Sequence, residues 1–228
     1  LMHNHIDAFK KAGIRTVNVS LDSLRRDRFF EITKRDLFDQ VWANIMLLLE
    51  NDFRVKINAV ALSGYIEHEI IHFIRLTKSF TIHVRFIEFM PFAGNNWDQS
   101  RVITAKQLLD MVVQEFDIVK LNDEPHATAK KYKVLNYEGT FAFITTMSNQ
   151  FCGECNRLRL TADGKIKNCL FGKEELDLLS ALRRGDEARA VEREHRAPRP
   201  HREREGIAGP RDPRGQRAQG ALHRHQLR

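Results

Sequence analysis

The sequence predicts an α/β protein in which half of a parallel barrel is followed by an antiparallel β region. Up to residue 90, stretches with strand periodicity alternate with stretches of helix periodicity. A dozen or more residues separate successive strands there, and connections of that length join parallel strands. Shorter strand-like stretches with turn residues follow, and all three cysteines of the chain fall among them.

The parallel part begins with a strand at 15–21, in which Val17 and Val19 share one face. Ser23 is a candidate N-cap for a short helix at 23–32. The remaining elements of this part are a helix at 38–50, a strand at 54–62, a helix at 67–79 and a strand at 81–90.

The antiparallel part begins after a helix at 104–116, for which Thr104 is the predicted cap. Strands are predicted at 118–121, 132–137 and 140–146, with Glu138-Gly139 as the turn between the last two. Ala162-Asp163-Gly164 is typical of a further hairpin turn, which returns the chain toward residues 152–155.

Cys152, Cys155 and Cys169 are the only cysteines in the chain. A C-x2-C pair lets two thiolates converge on one metal, and the predicted hairpin brings the third thiolate back to them. Structural zinc sites have four protein ligands and iron–sulfur clusters normally have four cysteines, so three thiolates leave one coordination position open. Three interpretations remain: a cluster with one free iron, a zinc site completed by a distant histidine such as His126, and a disulfide with a spare thiol.

Arginines follow the second cysteine. Arg157 and Arg159 would share a face if this stretch is a strand, and two guanidinium groups there would suit phosphate oxygens. The alternative is that they form a solvated hairpin face.

Other candidates lie on the predicted parallel strands, and each has a structural alternative. In parallel barrels the functional residues lie at the carboxyl ends of the strands, and Ser20 and Asp22 lie at that end of the first strand. The alternative is that they cap the following helix. Lys56 and Asn58 lie in the second strand, where an edge or interface lysine is the alternative. The third strand contains Arg85 and Glu88, whose alternative role is an ion pair inside the barrel.

The motif Phe-Cys-x-x-Cys-Asn-Arg-Leu-Arg-Leu at 151–160, followed by Asp-Gly-Lys and Cys-Leu-Phe, closely resembles the C-terminal cluster motif of the GTP 3′,8-cyclases. These are the radical-SAM enzymes that begin molybdenum-cofactor biosynthesis. Residues 15–24, 55–58 and 84–90 agree in order and spacing. The resemblance implies the later part of an incomplete (β/α) radical-SAM barrel at 1–92, followed at 93–187 by an antiparallel β region with the C-terminal Fe–S motif and substrate-binding residues.

The resemblance also implies roles for individual residues. The ligands of a C-terminal 4Fe-4S cluster would be Cys152, Cys155 and Cys169. The GTP-binding residues would be Lys56, Arg157, Leu158 and Arg159. The residues at the S-adenosylmethionine site would be Ser20 and Met90. None would be catalytic, since the cofactors supply the radical chemistry. Strand alternation predicts that the side chain of Leu158 points away from the two arginines, into the packing.

The implied activity is the radical-SAM cyclisation of GTP to (8S)-3′,8-cyclo-7,8-dihydroguanosine 5′-triphosphate, a lyase reaction. The sequence does not encode the C-x3-C-x2-C loop that holds the N-terminal 4Fe-4S cluster of the family, so we expect a truncated fragment that is inactive alone. A homodimer and a downstream cyclic pyranopterin synthase are implied as partners. The use of cysteines as ligands, with no signal peptide and no long apolar run, predicts a cytoplasmic protein without a membrane span.

Residues 188–228 differ in composition from the rest of the chain. They contain eleven arginines, no lysine, no aromatic residue and four of the six prolines. Their net charge is +6 of the +7 for the whole chain. We predict a disordered tail that is a frameshift product, with a natural basic arm as the alternative. The rival functions are a non-enzymatic zinc-binding module and a basic nucleic-acid-binding protein. Nucleic acid is not expected as a partner, and the basic tail itself has no aromatic residue for base stacking.

Overall fold

The computed structural model describes residues 4–92, 95–148, 155–172 and 175–185. The chain divides into two compact units, with the division between Asn156 and Arg157. The first unit contains six strands: β1 (Thr16–Ser20), β2 (Arg54–Ala61), β3 (His83–Glu88), β4 (Ile118–Lys120), β5 (Ala129–Val134) and β6 (Thr140–Ile144). Its helices are α1 (Ile6–Lys11), α2 (Arg26–Thr33), α3 (Phe38–Glu50), α4 (Ile70–Ser79) and α5 (Ala105–Glu115), with short 3-10 turns at Ile66–His68 and Gln99–Arg101.

The six strands form one mixed sheet in the order β1-β2-β3-β6-β5-β4. The first four strands in that order pair in parallel, and β6-β5-β4 pair antiparallel. The prediction of a parallel part followed by an antiparallel part is therefore confirmed for this unit. One detail differs from the prediction, which limited the parallel part to residues 1–92. Strand β6 lies beyond residue 92 and pairs in parallel with β3, so it joins the antiparallel strands to the parallel sheet.

Alternation along the strands separates an apolar face from a polar one. In β2 the buried positions are Val55, Ile57, Ala59 and Ala61, and the residues between them are partly exposed. The apolar face packs against α3, α4 and α5, which contribute Leu48, Phe73 and Leu108 to the core. Each buried side chain of this size stabilises the fold by about 1.5–3 kcal/mol. The sheet therefore turns its polar face away from the helices.

Two predicted turn and cap residues have other roles. Ser23 does not cap α2, whose N-cap is Arg25; its hydroxyl donates instead to the carboxylate of Glu69. Gly139 does not form the turn between β5 and β6, since the left-handed residue there is Asn136 (φ 64°). Glycine is needed at 139 because an added Cβ would lie 2.4 Å from the carbonyl oxygen of Ile82. The predicted capping by Thr104 is confirmed, and Gln107 completes a capping box.

The second unit contains a small antiparallel sheet in the order β7-β8-β9, formed by β7 (Arg159–Leu160), β8 (Lys165–Lys167) and β9 (Leu176–Asp177), followed by α6 (Leu178–Arg183). The predicted turn at 162–164 is confirmed, because β7 and β8 pair antiparallel on either side of it and Gly164 adopts φ 76°. A hydrogen bond from Lys165 lowers the pKa of Asp163 to about 2.

None of the described helices is both long and apolar enough to cross a membrane. The predictions made for the tail at 188–228 lie outside the described residues.

Candidate functional site

The polar face of β1, β2 and β3 carries the first group of candidate residues. The register places Asn18 beside Lys56 and Asn58 beside Arg85. Arg85 donates from Nε to Oδ1 of Asn58 at 2.7 Å and from Nη2 to Oδ1 of Asn18 at 2.8 Å. Burial lowers the pKa of Arg85 from its ordinary value. One guanidinium group therefore spans three strands and fixes the polar face.

Lys56 adds a second cation to this face. It is half-buried, and its cross-strand neighbour in β3 is His83. Within the described residues, Lys56 has no hydrogen-bond or ion-pair partner. An ammonium group without a protein partner can bind an anionic ligand without breaking an existing contact.

His83 was not identified from the sequence. Its Nδ1 lies 2.7 Å from Oγ1 of Thr140 in β6. Burial, followed by the charges of Arg85, Lys56 and Lys131, lowers its pKa to about 4. Its imidazole is therefore neutral near pH 7. A signal for it existed in the sequence, since His83 has the same strand parity as Arg85 and so lies on the same face.

Ser20 and Met90 lie at one edge of the sheet. Ser20 is the last residue of β1, and Met90 follows β3 by two residues, so both are at the carboxyl ends of parallel strands. Ser20 is exposed and Met90 is half-buried. Thr146, just after the parallel strand β6, has a buried hydroxyl with no hydrogen-bond partner in the described part of the chain. This unsatisfied hydroxyl at the same edge fits a site where a bound molecule supplies the partner.

Three carboxylates hold loops or strands at this edge by accepting from backbone N–H groups: those of Asp22, Glu69 and Glu88. Glu69 and Glu88 are buried. Asp22 accepts from the backbone N–H of Val60 at 2.9 Å, and burial raises its pKa. Glu69, which the sequence analysis missed, is 4% exposed and accepts from Ser23 and from the N–H of Leu24.

Glu88 also accepts from backbone N–H groups, and it does not pair with Arg85. The alternative role given above for these two residues, an ion pair, is wrong because residues three apart on a strand point to opposite faces.

Arg157, Leu158 and Arg159 lie in the second unit. Arg159 begins β7 and is half-buried, while Arg157 precedes the strand and is exposed. The prediction that Leu158 packs inside is wrong, since it is 61% exposed. The reason is that β7 starts only at Arg159 and has two residues, so Leu158 lies outside the sheet.

Two of the three cysteines lie in the described residues. Cys155 and Cys169 are free thiols, and both are half-buried. Gly172 donates to the carbonyl oxygen of Cys169 at 3.4 Å, and a Cβ there would lie 3.3 Å from Cβ of Cys169. Glycine thus leaves space beside this thiol.

The third cysteine, Cys152, lies outside the described residues. Among those that are described, no three His, Cys, Asp or Glu side chains are grouped to hold a metal. The chemistry of the three-cysteine set fits a thiolate-bound metal group.

Curated relatives cover most of this chain. The molybdenum cofactor biosynthesis protein moc-5 of Caenorhabditis elegans is 41% identical over 188 residues, which are 82% of this chain and 31% of the relative. A GTP 3′,8-cyclase of Desulforamulus reducens is 45% identical over 77% of this chain and 55% of its own. The mitochondrial GTP 3′,8-cyclase of Arabidopsis thaliana is 40% identical over 80% and 47%. The chain spans about a third to about half of the length of these relatives.

Two family models match the chain, one in each part. The model described as the Radical SAM superfamily matches residues 1–77, which include β1, β2 and most of α4. The model described as Molybdenum Cofactor Synthesis C matches residues 82–205, more than half of the chain, from β3 through the cysteine motif. The chain therefore belongs to the Molybdenum Cofactor Synthesis C family.

Proposed function

We propose that this chain carries the later part of the radical-SAM barrel and the C-terminal cluster region of a GTP 3′,8-cyclase, and so acts in molybdenum-cofactor biosynthesis. The observation that carries the proposal is the cationic polar face of β1–β3, where Lys56 and Arg85 lie beside a neutral His83. A triphosphate is bound by positive groups, and this face provides two, the guanidinium of Arg85 and the ammonium of Lys56, of which Lys56 has no protein partner within the described residues. The names of the relatives support GTP as the substrate.

The chain's own residues bind and orient the substrate in this proposal. Lys56, Arg157 and Arg159 contact GTP, with Leu158 beside them, and Ser20 and Met90 line the site of S-adenosylmethionine. Cys152, Cys155 and Cys169 hold a 4Fe-4S cluster whose fourth position is open to the purine. When bound, these cofactors supply the radical and redox chemistry that no side chain provides.

The two rival functions are less favoured. The family match and the relatives' names support cofactor biosynthesis, and none of the names concerns a nucleic-acid-binding protein or a zinc module. Iron and sulfide analysis after anaerobic reconstitution separates the cluster from zinc. Tightly held zinc without iron uptake would support the zinc module instead.

Other partners and the cellular location remain part of the proposal. The notion of a homodimer and of a downstream cyclic pyranopterin synthase rests on the family resemblance alone. A reducing compartment such as the cytoplasm suits thiolate ligands. The Arabidopsis relative is named mitochondrial, so cell fractionation should be used to distinguish a cytoplasmic from a mitochondrial location.

GTP binding by Lys56→Ala tests the proposed function. Loss of one charge-assisted contact should weaken binding by about 1.5–3 kcal/mol, which is about ten- to a hundredfold in Kd. Isothermal titration with the full chain measures this change. Lys78→Ala is the matched control, because Lys78 is an exposed lysine on α4, on the other side of the sheet. Equal binding by both variants and the parent would refute the assignment of this face.

A further inference from the structure

The polar face of the sheet continues past β3 onto β6 and β5, where the proposed function assigns no residue. Arg85, Ala142 and Lys131 are cross-strand neighbours in β3, β6 and β5. Ala142 is fully buried and its side chain ends at Cβ, so Arg85 and Lys131 stand on either side of it. The row of residues that begins with Arg85 therefore ends in a second cation.

Lys133 adds a further cation to the same face. Its neighbour Val134 is buried in the core, so the side chain of Lys133 points the other way, to the polar face. Lys133 follows Lys131 by two residues in β5, and Thr140 precedes Ala142 by two in the antiparallel β6, so Lys133 and Thr140 lie toward the same end of the sheet. Lys133 is half-buried and has no hydrogen-bond or ion-pair partner in the described part of the chain.

The positive charges on this face are poorly balanced by acids. Lys131 approaches Glu124 at 3.6 Å, but this carboxylate is 85% exposed, and an ion pair of that kind contributes little. The charges that lower the pKa of His83 are all positive and come from Arg85, Lys56 and Lys131. Like charges this close together repel each other, and a bound anion relieves that repulsion.

We propose that Lys131 and Lys133 form a second anion subsite, which binds the far end of a polyphosphate whose near end lies at Lys56 and Arg85. The identity of that polyphosphate as part of a nucleotide rests on the proposed function, whereas the binding of an anion by these two lysines does not.

The dimensions of the sheet suit a ligand with several phosphate groups. Neighbouring strands lie about 4.8 Å apart, so β2 and β5, three steps apart in the sheet, are separated by about 14 Å. Long side chains extend inward from both ends of this span, from Lys56 in β2 and from Lys131 and Lys133 in β5. Between them, β3 and β6 provide the neutral imidazole of His83 and the hydroxyl of Thr140 as polar groups.

The length of the bound anion provides the first test. Isothermal titration of the full chain with orthophosphate, pyrophosphate and tripolyphosphate compares ligands that reach progressively further across the face. Tripolyphosphate should bind at least about tenfold more tightly than orthophosphate, because it contacts cations at both ends. Equal affinity for the three anions, or no measurable binding of tripolyphosphate, would overturn the inference.

Lys133→Gln provides the second test, because the amide keeps most of the length of the side chain and removes its charge. The Kd for tripolyphosphate should rise by about tenfold, and the Kd for orthophosphate at Lys56 and Arg85 should stay unchanged. Lys133→Arg keeps the positive charge and should bind tripolyphosphate much as the parent does.

Lys130→Gln is the matched control. Lys130 lies on the same strand, but its cross-strand neighbour Phe143 is buried in the core, so Lys130 is on the opposite face, where it approaches Asp123 at 3.8 Å. This variant loses the same charge and should bind tripolyphosphate like the parent. An equal loss of affinity in Lys130→Gln would show an effect of net charge alone and overturn the inference.

Unchanged binding of tripolyphosphate by a folded Lys133→Gln chain would also overturn it. Urea unfolding checks that the variants are folded, and if Lys133→Gln is not, Lys131→Gln replaces it with the same expected result and the same refutation. Titration with GTP keeps the two proposals apart. If the parent binds tripolyphosphate through Lys133 but does not bind GTP, the proposed function fails and the anion subsite stands.

Discussion

Replacing Arg85 by methionine should affect ligand binding more than folding. The substitution removes the guanidinium group that bridges Asn58 and Asn18, at 2.7 and 2.8 Å. Both asparagines are partly or fully exposed, so water can replace the lost donors. A net hydrogen bond contributes about 1 kcal/mol, so the free energy of unfolding should fall by about 1–2 kcal/mol.

The loss of GTP affinity should exceed this cost in stability. A charge-assisted contact contributes about 1.5–3 kcal/mol, which predicts a Kd about ten- to a hundredfold higher in Arg85→Met. Arg85→Lys keeps the positive charge but not the planar guanidinium group, so its loss of GTP affinity should be smaller than that of Arg85→Met. Urea unfolding and isothermal titration with GTP measure the two effects on the same samples.

Arg75 provides the control for these measurements. It lies on α4, is 54% exposed and approaches Glu115 only at 3.9 Å, so Arg75→Met should change neither quantity by much. The reasoning is refuted if Arg85→Met binds GTP as the parent does while the parent binds measurably. It is equally refuted if Arg75→Met weakens binding to the same extent.

Two further predictions concern the same sheet. His83 should titrate at about pH 4 by NMR, and because its folded pKa lies below the unfolded value of 6.5, the free energy of unfolding should fall as pH drops from 6.5 toward 4. His83→Gln should remove this fall, and a titration of His83 near 6.5 would contradict the prediction. Gly139→Ala should lower the free energy of unfolding by about 1–3 kcal/mol in urea, because its Cβ would meet the backbone oxygens of Ile82 and Phe80 at 2.4 and 2.7 Å. Unchanged stability would show that the backbone yields easily there.

Local patterns predicted much of the fold. The helix at 38–50 was predicted with its observed bounds, because Ile45 and Leu48 recur at helical spacing and both are buried. The capping box of Thr104 and Gln107 is also visible in the sequence, since it depends on two residues three apart. Such features involve neighbours in the chain, so the sequence contains the whole interaction.

Features that depend on distant pairing were not predictable in the same way. The parallel pairing of β6 with β3 joins residues more than fifty positions apart, and no local pattern specifies it. The contacts of Glu88 with residues 147–148 follow from that pairing. By contrast, strand alternation was enough to predict that Arg85 and Glu88 lie on opposite faces. The exposure of Leu158 was not predictable in this way, because it depends on where a two-residue strand begins.

The three carboxylates Asp22, Glu69 and Glu88 have a common consequence for the cost of ligand binding. Each already accepts hydrogen bonds from the backbone N–H groups of a loop or strand at the carboxyl edge of the sheet. The loops are thus ordered before any ligand arrives, and the entropy of ordering them is part of folding rather than of binding. The oxygens that these carboxylates turn to the backbone donors are likewise occupied before any ligand binds. Folding thereby prepares both the shape and the hydrogen bonding of this edge.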